Sequence, residues 1–185
     1  MANNDASNII VGSPRAVGGY AFRAPLGSTG PTDATTALDT AFECLGFISD
    51  KGVKLKTSSK TEDLTDWNLD VVKTLTTEKT CEVTVSFMET NPVVAKAVYG
   101  TGNVTASASS IKIAWDGEPL PHEMFAFELS SDRKPGRIWF NDAQIIDIAE
   151  QEIVKNAAWV HEVTIKCFKD ADGKFFHREQ SLTAA

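Results

Sequence analysis

The stretch Cys81-Glu82-Val83-Thr84-Val85-Ser86-Phe87 alternates apolar and polar residues without a break. Successive side chains of an extended chain point to opposite faces. This run therefore predicts a strand with Cys81, Val83, Val85 and Phe87 against a core and Glu82, Thr84 and Ser86 turned away from it. The same period of two recurs on both sides. Upstream, Val53 and Leu55 alternate with Lys54 and Lys56. Downstream come Ile111, Ile113 and Trp115, then Phe125, Phe127 and Leu129, then Trp159, Val163, Ile165 and Cys167 with Glu162, Thr164 and Lys166 between them. Strands of this kind, with turns about every ten residues, predict an antiparallel β-sandwich or barrel. Asp50-Lys51-Gly52, Asp116-Gly117, Lys134-Pro135-Gly136 and Asp170-Ala171-Asp172-Gly173 have turn composition.

One short flanking helix is predicted over about residues 91–100. Asn91 suits the N-cap, Pro92 the first helical position and Gly100 the residue past the end. Val93, Val94, Ala97 and Val98 give it an apolar stripe that packs on a sheet. The segment Thr32–Gly46 reads two ways. Leu38, Ala41, Phe42 and Leu45 have helical spacing, whereas Leu45, Phe47 and Ser49 could start a strand. Residues 1–31 hold Gly12, Gly18, Gly19, Gly27, Gly30, Pro14, Pro25 and Pro31, too many breakers for long elements. They are expected to form an N-terminal arm with one short strand near Gly19–Arg23. Residues 32–185 are expected to form a single β domain.

The chain has 185 residues, 42% of them hydrophobic, enough for one domain with its own core. Lys and Arg number 18 against 25 Asp and Glu, a net charge of −7, which argues against a cationic nucleic-acid binder. The N-terminus has neither the basic nor the apolar region of a signal peptide. No apolar run approaches the ~20 residues that span a bilayer. A soluble protein made in the cytosol, without membrane binding, is expected. Cys44, Cys81 and Cys167 are odd in number and match no metal spacing, so reduced thiols are expected, with Cys81 and Cys167 on apolar strand faces.

A search for chemistry finds no catalytic pattern. His122, His161 and His177 lack metal-ligand spacing, and no nucleophile elbow, phosphate loop or dinucleotide fingerprint occurs. Asp170-Ala171-Asp172-Gly173 begins like a calcium loop but lacks the later Glu ligand, which favours a turn. Trp67, Trp115, Trp139 and Trp159 lie in strand-like runs that suggest core or interface packing. No enzyme activity, metal or cofactor is expected. The sharpest feature is a two-signed block. Residues 51–60 carry Lys51, Lys54, Lys56 and Lys60 and no acid, and residues 61–70 carry Glu62, Asp63, Asp66 and Asp70 and no base. An extended hairpin loop at about 50–70 could pair its own charges, or dock the opposite sign on a neighbouring copy.

Two longer runs carry a family resemblance. The first is Ala24-Pro25-Leu26-Gly27, then Pro31-Thr32-Asp33-Ala34-Thr35-Thr36-Ala37-Leu38-Asp39, then Phe42 through Val53. The second joins Ser59-Lys60-Thr61-Glu62-Asp63, Trp67 and Asp70-Val71-Val72 to Phe87-Met88-Glu89-Thr90-Asn91-Pro92, Ala97-Val98-Tyr99-Gly100 and Asn103-Val104. In order and spacing they resemble the major tail tube proteins of long-tailed phages, especially those of actinobacteria, from about residue 20 to about residue 173.

The resemblance implies a structural virion protein, assembled in the host cytoplasm. Six copies would make a ring whose inner strands close a barrel around a lumen. Stacked rings would form the tail tube through which the genome is delivered. The implied partners are further copies of the chain, a tape measure protein, a tail terminator and a tail-tip protein, with transient passage of DNA. On this footing Lys51, Lys54, Lys56, Lys60, Glu62, Asp63 and Asp66 are the expected inter-ring contact. Glu82, Thr84, Ser86, Glu162, Thr164 and Lys166 are the expected lumen-facing residues. An acidic lumen would repel phosphate and let the polymer slide. The alternatives are a tube subunit of a type VI secretion or contractile-injection system, and a monomeric Ig-like binding module.

Overall fold

The computed structural model of the protein describes residues 9–15, 20–131 and 134–182. The fold is mainly β, with eleven strands and one α-helix among the described residues. In chain order the strands are β1 (Ser13–Pro14), β2 (Ala21–Pro25), β3 (Glu43–Cys44), β4 (Ile48–Thr65) and β5 (Val71–Phe87). Helix α1 (Pro92–Tyr99) follows, then β6 (Val104–Ala106), β7 (Ile111–Ile113), β8 (Glu123–Ser131), β9 (Lys134–Ile148), β10 (His161–Cys167) and β11 (His177–Gln180).

The main sheet runs β3-β2-β8-β9-β10-β5-β4, with β1 added to β8 and β11 to β9, and every pairing is antiparallel. The path is open, so the sheet does not close into a barrel. It is bent enough that one core collects side chains from both ends: Val83, Val85 and Phe87 of β5, Val163 and Ile165 of β10, and Phe125, Phe127 and Phe140 of β8 and β9. This is a sandwich-like arrangement. Each such buried side chain contributes about 1.5–3 kcal/mol over leaving it exposed.

The predicted helix forms as read. The Asn91 side chain accepts from the Val94 N–H, Pro92 opens the first turn, and Gly100 ends the helix at φ 91°. Val94, Ala95, Ala97 and Val98 are buried, so the helix lies on the sheet as a lid. The strand Cys81–Phe87 also holds, and of the run from Trp159 to Cys167 the part His161–Cys167 forms β10, with strict alternation of buried and half-buried residues, while Trp159 lies before it.

Other segments differ from their sequence reading. Thr32–Gly46 forms no helix. The Asp33 carboxylate instead accepts from the backbone N–H groups and hydroxyls of Thr35 and Thr36, a local network that competes with helical hydrogen bonding. These bonds hold the Asp33 carboxyl well below the usual carboxylate range. Of the strand alternative, Ser49 lies in β4, which begins at Ile48, whereas Leu45 and Phe47 fall between β3 and β4. Lys134-Pro135-Gly136 is not a turn but the start of β9, opposite Ser131, Ser130 and Leu129. Gly136 pairs with Gln180 of β11, whose side-chain Oε1 lies 2.2 Å from where a Cβ would stand, so a larger residue there would push that flexible side chain aside. Asp50-Lys51-Gly52 is a bulge within β4, with Gly52 at φ 66° and the register shifting between Ile48 and Val53. Of residues 1–31, Ala21–Pro25 belongs to the sheet, with Ala21 and Ala24 buried. Residues 1–8 and 16–19 lie outside the described residues.

Candidate functional site

Two surfaces follow from the strand register. The first is a polar sheet face. Across β5 and β10, Ser86 stands opposite Glu162, Thr84 opposite Thr164 and Glu82 opposite Lys166. The two sets of expected lumen residues are thus neighbours on one surface, directly behind the core. On the other side of β5, Lys54 stands opposite Thr84 and Lys56 opposite Glu82. The base of the lysine block therefore shares this face with them.

The face carries both signs rather than a surplus of acid. Lys51 Nζ donates to the Glu162 Oε2 at 3.3 Å, and Ser86 Oγ donates to the same oxygen at 2.9 Å. Both bonds favour the charged carboxylate, so the Glu162 carboxyl titrates below its ordinary value, the Ser86 bond having the larger effect. Lys54 and Lys56 make no ion pair among the described residues.

The second surface is the β4–β5 hairpin. Its ladder extends from Ile48 opposite Phe87 to Thr65 opposite Val71, well beyond the expected residues 50–70. Every residue from 54 to 79 is exposed. At about 3.4 Å per residue, the part from Ser58 to Thr65 stands roughly 30 Å beyond the sheet. Lys60 and Glu78 face each other across the ladder at 2.6 Å, the Glu78 partner raising the Lys60 pKa and Lys60 lowering that of Glu78. Thr74 Oγ1 donates to Asp63 at 2.6 Å, and Glu62 lies opposite Leu75.

The turn at the hairpin tip is tightly made. The Asp66 carboxylate accepts from the N–H groups of Asn68 and Asp70, both at 2.9 Å, and Leu69 is held at φ 68°. The turn presents Trp67 at 99% exposure and Leu69 at 82%. Trp67 thus sits in a turn, not in a strand as its sequence context suggested. Trp139 is buried, and Trp115 and Trp159 are exposed.

Near the hairpin base, the open side of the sheet leaves a groove of about 660 Å³. Val53 and Leu55 of β4, Phe127 and Leu129 of β8, Ile138 of β9 and Phe176 line it. Lys51 and Arg178 stand at its edge with Asp50 and Glu128, and Glu128 is held by Arg137 and Arg15.

Each histidine has a structural setting. His122 Nδ1 shares a hydrogen bond with Asp142 at 2.5 Å. His161, buried beneath the helix, meets Thr90 Oγ1 at 3.3 Å and the Tyr99 hydroxyl at 3.4 Å. His177 stacks on Trp139, with ring centroids 5.4 Å apart, and bonds Asp170 at 2.7 Å. Asp170, Asp172 and His177 bring ligand-type atoms within 4.8 Å of one another. The Asp170 oxygens are already taken by the N–H groups of Asp172 and Lys174, by Asn141 and by His177. Burial pushes its pKa up, and these bonds outweigh burial to hold it at about 2. The cluster organises the turn that Asp170-Ala171-Asp172-Gly173 predicted.

Cys81 and Cys167 stand opposite one another on β5 and β10, both buried, although 86 positions separate them in sequence. Burial raises both thiol pKa values.

Among the described residues, no helix is long and apolar enough to cross a membrane. A search of curated proteins finds no significant match. The family described as phage tail tube protein matches residues 1–177, nearly the whole chain. The projecting hairpin and polar sheet face therefore belong to a structural component of the virion tail that associates with its own kind. The chain is a member of the phage tail tube protein family.

Proposed function

We propose that six copies of this chain form a ring, that rings stack into the tail tube, and that the genome passes through its lumen into the host. The observation that carries this reading is the shared register of the two polar sets. Glu82, Thr84 and Ser86 stand beside Glu162, Thr164 and Lys166 across β5 and β10, with Ser86 buried against Glu162 and the others half-buried. Such a face suits a wall along which a charged polymer slides. Glu82 and Glu162 stand among Lys51, Lys54, Lys56 and Lys166, so the cations of the face are interrupted by acids.

In this reading the hairpin makes the ring-to-ring contact, with Lys51, Lys54, Lys56, Lys60, Glu62, Asp63 and Asp66. Lys51 and Lys60 have partners within the chain, which leaves Lys54 and Lys56 to meet acids of an adjacent copy. The chain before β2 serves as a connecting arm, consistent with 65% exposure of Ile9 and 63% of Val11. A tape measure protein occupies the lumen during assembly in the host cytoplasm, and a tail terminator and a tail-tip protein close the ends.

Negative-stain microscopy of the purified full chain tests the proposal. Tubes with a central hole and sixfold end-on views are expected. A persistent monomer, or rings of another order, would refute it.

A further inference from the structure

We infer that the hairpin tip of one copy seats Trp67 and Leu69 in the open groove beside β4 of the next copy. This rests on the tube reading above and names the partner surface of its ring-to-ring contact. Four observations lead to it.

The tip is built to present apolar side chains. Trp67 is 99% exposed and Leu69 82% exposed, in a turn otherwise made of Asp and Asn. Leu69 holds a left-handed backbone conformation, φ 68°, that a bulky side chain adopts rarely. Asp66 clamps that turn with two N–H bonds, so the geometry is fixed before any partner arrives. A preformed apolar anchor loses little conformational freedom on docking.

The groove has matching character. It is open, apolar within, and about 660 Å³ in volume, inside the range of pockets that enclose compact apolar ligands. Its walls are Val53, Leu55, Phe127, Leu129, Ile138 and Phe176.

Charge fits as well. Glu62, Asp63, Asp66 and Asp70 surround the tip, with Lys73 the nearest base along β5. At the groove edge, Arg178 makes no ion pair among the described residues, and Lys51 is 61% exposed despite its contact with Glu162. Of the acids there, Glu128 is neutralised by Arg137 and Arg15, which leaves Asp50 as the opposing charge.

Length closes the argument. The groove lies at the base of the same hairpin, twelve residues before the tip along β4, from Leu55 to Trp67. At about 3.4 Å per residue that is ~40 Å, too far for a paired hairpin to fold back into its own groove. A second copy displaced by that distance along the hairpin receives the tip. The contact is head-to-tail, so it propagates instead of closing on itself.

The experiment uses the full chain with Trp67 replaced by a benzophenone amino acid, assembled from mixed ¹⁴N and ¹⁵N copies and irradiated. Mixed-isotope crosslinks from position 67 to residues 48–55, 127–129 or 176–178 are expected. Crosslinks confined to other parts of the chain, or to a single copy, overturn the inference. In parallel, Trp67→Ala should raise the critical concentration for tube formation at least about tenfold, as loss of a buried aromatic anchor does, with the monomer Tm unchanged. An unchanged critical concentration overturns it too. If the wild-type chain forms tubes and the position-67 crosslinks fall elsewhere, the docking alone is refuted, whereas absence of wild-type tubes refutes the tube reading and this inference with it.

Discussion

His161 shows how one buried side chain couples the helix lid to solution conditions. It packs edge-on against Tyr99 of α1, with ring centroids 5.9 Å apart, and burial lowers its pKa from the ordinary 6.5. The unfolded chain therefore binds this proton more readily than the folded one. The stability of the fold should fall as pH drops below 6.5, and the loss from this group should end once pH passes the lower folded value. A series of Tm measurements from pH about 7.5 to about 5 should show this slope, and His161→Gln should remove it. An equal slope in the variant would assign the effect elsewhere. Sequence placed His161 on an apolar strand face, and there it lies. Sequence could not show that Cys81 and Cys167 oppose one another, because strand register is a long-range property. Nor could it place Trp67 at a tip, because an aromatic residue in a polar run has the same composition whether it is covered or displayed.

At the scale of elements, what was legible is what packs against the core. β5 from Cys81 onward and β10 alternate because one face is buried, and α1 declared itself through Asn91, Pro92 and Gly100. The outer hairpin was legible as an extended charged hairpin over about residues 50–70, but not the full length of its ladder. Hydrophobic alternation reports burial, and residues 59–65 and 71–79 pair with each other while burying nothing. The start of β9 was misread for a related reason. Pro135 and Gly136 have turn composition, but both pair in the ladder with β8, and composition does not report that long-range pairing. The helix cap gives a direct test. Asn91→Ala removes the acceptor for the Val94 N–H and should cost about 1 kcal/mol in urea denaturation. A change close to zero would mean that sheet packing alone holds the first turn.

At the scale of the whole molecule, the net charge of −7 is not spread evenly. Acids crowd the hairpin tip, while Lys54 and Lys56 stand on the polar face without ion-pair partners among the described residues. Reversing both to Glu should abolish tube assembly in negative stain. It should lower the monomer Tm only slightly, since Lys56→Glu puts a like charge opposite Glu82 at a cost of up to about 1 kcal/mol. Intact tubes from this double variant would free these lysines of any role between rings. The subunit fold was legible in outline because each copy buries its own core. The assembly surfaces were not, because their burial awaits a neighbour.

The free-standing hairpin also has a mechanical consequence. Its cross-strand hydrogen bonds lie perpendicular to the strands. With the tip seated in a neighbour, a pull along the stack draws β4 and β5 in the same direction, and the ladder between them is neither sheared nor unzipped. Tension then runs through two covalent backbones for roughly 30 Å before it reaches the sheet. The hairpin acts as a tie-rod, so an overstretched stack parts where the tip is seated, with each subunit still folded and able to re-engage.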